Sequence, residues 1–102
     1  MPSPSKRKGS DWERAVVQMF RDAGLPAERA YASNGRALGF HETVDCIGAG
    51  LKIQAKIRKS LASFLQVPDA CDMVAFRQDR GPALVLMPLS RLIELLREDS
   101  DE

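Results

Sequence analysis

The sequence predicts an α+β (α/β) domain in which helices cover the faces of a mixed sheet, and three observations carry that expectation. Apolar residues recur at helical spacing near both ends of the chain. Short runs with strand-like alternation fill the middle. Glycine- and proline-bearing turns separate these segments in the order αβββαββα.

Taken in order, Ser10 is placed to cap a helix running to about Ala23, with Trp12, Val16, Met19, Phe20 and Ala23 at helical spacing and Gly24 and Pro26 ending it. A first strand is expected over residues 28–32, followed by the loop from Ser33 to Gly39. Two strand-like runs come next, Thr43 to Ile47 and Leu51 to Ile57, joined by Gly48-Ala49-Gly50 as a hairpin. Residues 60–66 read as a short helix, and residues 72–76 and 83–87 as strands around an Asp79-Arg80-Gly81-Pro82 turn. A last helix covers residues 89–96, capped near Ser90.

The 102 residues and 44% hydrophobic content suit one soluble domain with a modest core. Its expected bounds are 10–97, between a basic flexible arm at 1–9 and an acidic tail at 98–102. No apolar run approaches the roughly 20 residues that span a bilayer, and no secretory signal is evident, so a cytoplasmic protein without a membrane partner is expected. Cys46 and Cys71 both have strand-like apolar neighbours and are expected to be reduced core residues. One His and two distant Cys are too few for a zinc site.

Charge is unevenly distributed beneath a net value of +1: residues 1–59 hold 11 Lys/Arg against 6 Asp/Glu, and residues 60–102 hold 4 against 8. Lys6, Arg7, Lys8, Arg29, Arg36, Lys52, Lys56, Arg58 and Lys59 together could neutralise a phosphate backbone. For the N-terminal three, a solubilising arm is the alternative.

Two features place charge where a core would exclude it. On the hairpin, alternation lets Ile53, Ala55 and Ile57 bury while Lys52, Gln54 and Lys56 share the other face, and the turn brings Asp45 back beside them. A carboxylate facing an amide and an amine two residues apart suits a divalent metal held against a phosphate, although an ordinary solvated sheet face has the same pattern. On the first helix, Glu13 shares the apolar face of Val16, Val17 and Phe20. Either Ser10 and Glu13 form a capping box, or Glu13 points toward Asp45 as a second carboxylate.

With Glu13, Asp45, Gln54 and Lys56 in this order, the chain resembles the PD-(D/E)XK nucleases, most nearly the archaeal and phage Holliday junction resolvases. Lys8-Gly9-Ser10 is similar to the Lys-Gly-Ser stretch that opens the first helix of those enzymes, and Glu13-Arg14 to their Glu-Arg pair. The segment from Arg29 to Gly35 is similar to their Arg-bearing strand and Ser/Gly loop. Val44-Asp45 stands for the usual Pro-Asp. Gln54 stands for the acidic residue of Glu-X-Lys, so one carboxylate of the usual set is replaced by a neutral amide. Pro68-Asp69 follows the motif instead of preceding it and is a decoy.

The resemblance implies a restriction-endonuclease-like αβββαββ core and a metal-dependent, structure-selective endonuclease acting on branched DNA such as a four-way junction, bacterial or phage-encoded. It implies Mg²⁺ or Mn²⁺ held by Asp45, Gln54, the Ala55 carbonyl and Glu13, with Lys56 orienting the attacking water or stabilising the phosphoryl oxygens. It also implies backbone contacts from Ser10, Arg29 and Ser33, and a homodimer with one site for each symmetric strand. Leu61, Phe64 and Leu65 are candidates for that interface or for the core. A nicking or restriction-type enzyme of the same fold, or a DNA-binding or scaffold protein without catalysis, are the alternatives.

Overall fold

The structure is a computed structural model that describes residues 4–30 and 39–100. Its elements are α1 (Pro4–Asp22), β1 (Ala27–Arg29), β2 (Cys46–Gly48), β3 (Leu51–Ile53), a 3₁₀ turn (Ser63–Leu65), β4 (Val74–Phe76), β5 (Leu84–Leu86) and α2 (Leu89–Ser100). The chain is α+β, and its elements follow the expected order except that a 3₁₀ turn stands in place of the second helix. They divide into two units, one ending at Ile57 and the other beginning at Arg58.

In the first unit α1 starts six residues before Ser10, so Lys6, Arg7 and Lys8 are helical and Ser10 lies in the helix interior rather than at its cap. Proline suits a first helical turn because its missing N–H has no intrahelical acceptor to lose, and Lys and Arg propagate the helix well. The other end of α1 falls where the glycine suggested. Gly24 adopts a φ of +80°. Its amide reaches the Arg21 carbonyl at 2.9 Å while the Leu25 amide reaches that of Phe20 at 3.0 Å, a Schellman closure that turns Leu25 into the core. Arg21 Nε donates to the Ala27 carbonyl at 3.0 Å and fastens the helix end to β1.

Strands β1, β2 and β3 form an antiparallel sheet with β2 in the centre. Arg29 pairs with Cys46, and Cys46 with Ile53, so these three share one face of the sheet. Glu28, Ile47 and Lys52 share the other. The connection of β2 to β3 is a two-residue turn, Ala49 at φ 50° and Gly50 at φ 83°, the positive pair that a type I′ hairpin requires. Gly48 belongs to the strand, opposite Leu51. Its lack of a side chain serves packing: a Cβ there would lie 2.8 Å from three ring carbons of Phe20, which is itself fully buried. Among the described residues the core of this unit is Val16, Val17, Phe20, Leu25, Ala30, Val44 and Cys46, with one charged residue among them, Glu13.

In the second unit β4 and β5 form a separate antiparallel ribbon, Val74 pairing with Leu86 and Phe76 with Leu84, across a turn in which Arg80 has φ 60°. The expected single mixed sheet is therefore replaced by two antiparallel ones among the described residues, because the short β2–β3 and β4–β5 links leave no room for the crossover that parallel pairing needs. The helix expected at residues 60–66 is reduced to the 3₁₀ turn, with Pro68 closely following. Helix α2 extends to Ser100, past the expected frayed end, and buries Ile93. Cys46 is buried as expected; Cys71 is exposed, and both are free thiols. No described helix is long and apolar enough to cross a membrane.

Candidate functional site

Asp45 precedes β2 and is fixed by three hydrogen bonds. Its carbonyl accepts from the Ala30 amide at 2.8 Å, on the β1 side. Its amide donates to the Ile53 carbonyl at 2.8 Å, on the β3 side. Regular extension of the Cys46–Ile53 pair would set Asp45 opposite Gln54, so bonding to Ile53 marks a slip of one residue, the kind of local irregularity that re-aims a side chain. The carboxylate fills the gap: Oδ2 accepts from the Ala55 amide at 2.8 Å. Asp45 thus grips the backbone at the centre of Gln54-Ala55-Lys56, from a half-buried position between buried Val44 and Cys46.

The expected alternation on the second hairpin arm persists through Ala55. Ile53 and Ala55 are half-buried, Lys52, Gln54 and Lys56 exposed, whereas Ile57 is also exposed and the strand itself ends at Ile53. Lys52 Nζ lies over the Phe40 ring, 5.1 Å from its centroid, a cation–π contact on the sheet face that also carries Ile47.

Glu13 reaches the sheet from α1. With Ser10 inside the helix, a capping box is no longer available to account for its burial. The account is instead an ion pair: Arg29 Nε donates to Glu13 Oε1 at 3.0 Å, with Glu13 almost completely enclosed and Arg29 partly so. The sequence assigned Arg29 to the DNA backbone and missed it as this partner. The available signal was β1 periodicity, which sets Arg29 on the face that α1 covers.

Cys46 registers the field of these groups. Burial pushes its thiol from 9.0 to about 11, and the Asp45 and Glu13 carboxylates push the same way while the Arg29 guanidinium opposes them. Both carboxylates therefore act on one buried point, Asp45 along the chain and Glu13 from the helix. As a donor set, two carboxylates, the Gln54 amide oxygen and a backbone carbonyl are all hard oxygen ligands of the type Mg²⁺ or Mn²⁺ takes. Among the described residues no three His, Cys, Asp or Glu side chains cluster as a metal cage, so Glu13, Asp45 and Cys46 do not form one, and the Glu13 carboxylate is engaged by Arg29.

The remaining candidates are placed individually. Lys6, Arg7 and Lys8 are exposed on α1, Ser10 is half-buried there, and Arg58 and Lys59 are exposed in the second unit. Leu61 and Phe64 are exposed and Leu65 half-buried. Ser33 and Arg36 lie outside the described residues. The fold and this geometry define an α+β protein with a charged, partly buried hairpin site. Compared with protein-family models, with curated proteins and with solved structures, the chain matches none.

Proposed function

We propose that this protein is a metal-dependent DNA endonuclease of the Holliday junction resolvase type, hydrolysing phosphodiester bonds in branched DNA as a homodimer. The observation that carries the reading is the Asp45 Oδ2 bond to the Ala55 amide at 2.8 Å, which ties the one acidic residue of the hairpin to the middle of the Gln-X-Lys motif. An exposed salt bridge would not need the backbone of the motif to be held in this way.

Asp45, Gln54, the Ala55 carbonyl and Glu13 would hold the divalent ion, which when bound supplies Lewis acidity and lowers the pKa of a water. The chain's own contributions follow from its charges. Lys56, exposed two residues after Gln54, is free of the sheet ladder and supplies a cation to the phosphoryl oxygens. Arg29 balances Glu13 within the fold, and Lys52 adds a further positive charge on the hairpin.

The neutral amide at position 54 favours one second reading, a DNA-binding protein of the same fold without catalysis. Incubating the purified chain with a labelled four-way junction, linear duplex and single strand, with and without Mn²⁺, separates the two. Symmetric nicks in the junction support the resolvase reading, cleavage of linear duplex indicates a restriction-type enzyme, and junction binding without cleavage supports the second reading.

A further inference from the structure

On α1 the molecule has an open groove of about 520 Å³ lined by Pro4, Arg7, Lys8, Asp11, Trp12 and Ala15 of the helix and by Ile57 at the end of the hairpin arm. We propose that this groove binds an unpaired nucleotide of DNA, its base stacked on Trp12 and its phosphate held by Arg7 and Lys8. Three observations choose that occupant. Trp12 is half-buried, so its indole is anchored in the wall yet keeps accessible surface, as a stacking platform must. Arg7 and Lys8 are exposed cations on the lining, while Asp11, the one acidic side chain among the described lining residues, is already engaged by Arg14 at 3.1 Å. The walls are also chain neighbours of the candidate site: Trp12 precedes Glu13, and Ile57 follows Lys56. Lys56 is exposed and adjoins the wall residue Ile57, ~3.8 Å along the chain, which gives a strand seated in the groove a further cation at its edge.

Inside a paired duplex no base face is free, whereas single strands and the unstacked bases of branched DNA offer one. The groove would therefore supply preference for DNA structure, through stacking and without a base-specific hydrogen-bond code. The inference rests on the DNA reading above, but not on catalysis or metal.

Trp12 is the sole tryptophan, so its emission reports the groove directly. The full chain is titrated in EDTA with oligo-dT, with a blunt duplex of equal length and with a four-way junction. The expected result is quenching by oligo-dT and the junction, with little by the duplex. Binding of oligo-dT, followed by the anisotropy of a label on the DNA, should weaken about fivefold or more in Trp12→Ala, the low end of what one stacked base contributes. Trp12→Phe should retain most affinity. Because Trp12→Ala removes packing as well, Ala15→Leu provides a second variant: it narrows the groove from an exposed position, leaves the indole in place and should weaken oligo-dT binding. Equal quenching by duplex and single strand, unchanged affinity in both Trp12→Ala and Ala15→Leu, or no quenching by any DNA would overturn the proposal. Quenching without cleavage in Mn²⁺ would refute the nuclease reading and leave the groove assignment standing.

Discussion

Glu13 and Arg29 are coupled at the level of single residues, because an enclosed carboxylate needs partners and the sheet provides a guanidinium at 3.0 Å. Glu13→Gln keeps the volume but removes the charge, and should lower unfolding stability by roughly 1–3 kcal/mol, the worth of a charge-assisted bond with a partly exposed member. It should also abolish most Mn²⁺-dependent junction cleavage. A urea melt and a cleavage assay on the same sample check both outcomes; full cleavage at reduced stability would confine Glu13 to a structural role. Lys56 is exposed and has no packing task, so Lys56→Ala should melt like the parent and bind the junction within a few-fold, yet cut orders of magnitude more slowly. Normal cleavage by that variant would remove Lys56 from the site. These residues were legible in the sequence only in part: charge among apolar neighbours singled out Glu13 and Asp45, but the partner of Glu13 lies 16 residues away, and the periodicity that sets Arg29 on one face of β1 does not by itself say that α1 covers that face.

At the scale of elements, the hairpin holds Asp45 against the Gln-X-Lys motif, and its position depends on how closely β2 approaches α1. Gly48 sets that approach, since a Cβ would enter the Phe20 ring at 2.8 Å and the ring has no exposed side toward which to retreat. Gly48→Ala should therefore cost about 1–3 kcal/mol by overpacking. Part of that loss should return in a Gly48→Ala/Phe20→Leu double variant, where the ring is gone, and a double-mutant cycle from denaturant melts measures the coupling. Strict additivity would mean that the strand and helix are not in contact there. The sequence identified this glycine as a turn residue. The turn is in fact Ala49-Gly50, and Gly48 is needed for what lies across from it.

At the scale of the molecule, burial is concentrated before Ile57. The described core residues are all in the first unit except Ile93, while Leu61, Phe64, Met73, Leu84, Val85 and Leu95 of the second are exposed. Global stability should accordingly respond to the protonation of Cys46 at the centre of the first unit. Its thiol is raised to about 11 in the fold from 9.0, so the native state favours the neutral form. That contribution is complete below pH 9 and is lost as pH rises through 11, where the folded thiol ionises. Melting temperatures of the parent should therefore fall more steeply between pH 9 and 11 than those of Cys46→Ala, and identical pH slopes would contradict it. In the same range a thiol reagent should modify exposed Cys71 quickly and Cys46 only on unfolding.

The sequence by itself determined the order of elements, the apolar face of α1 and the hairpin that carries Asp45 and Gln54-Ala55-Lys56, because period and turn chemistry are local properties. Only the tertiary structure decided that Ser10 is interior to a helix begun at Pro4, that Arg29 neutralises Glu13, that Cys71 is exposed and that the strands form two antiparallel sheets. Each of these depends on which distant residues meet. Local pattern sets a side chain on a face; burial and pairing settle what that face covers.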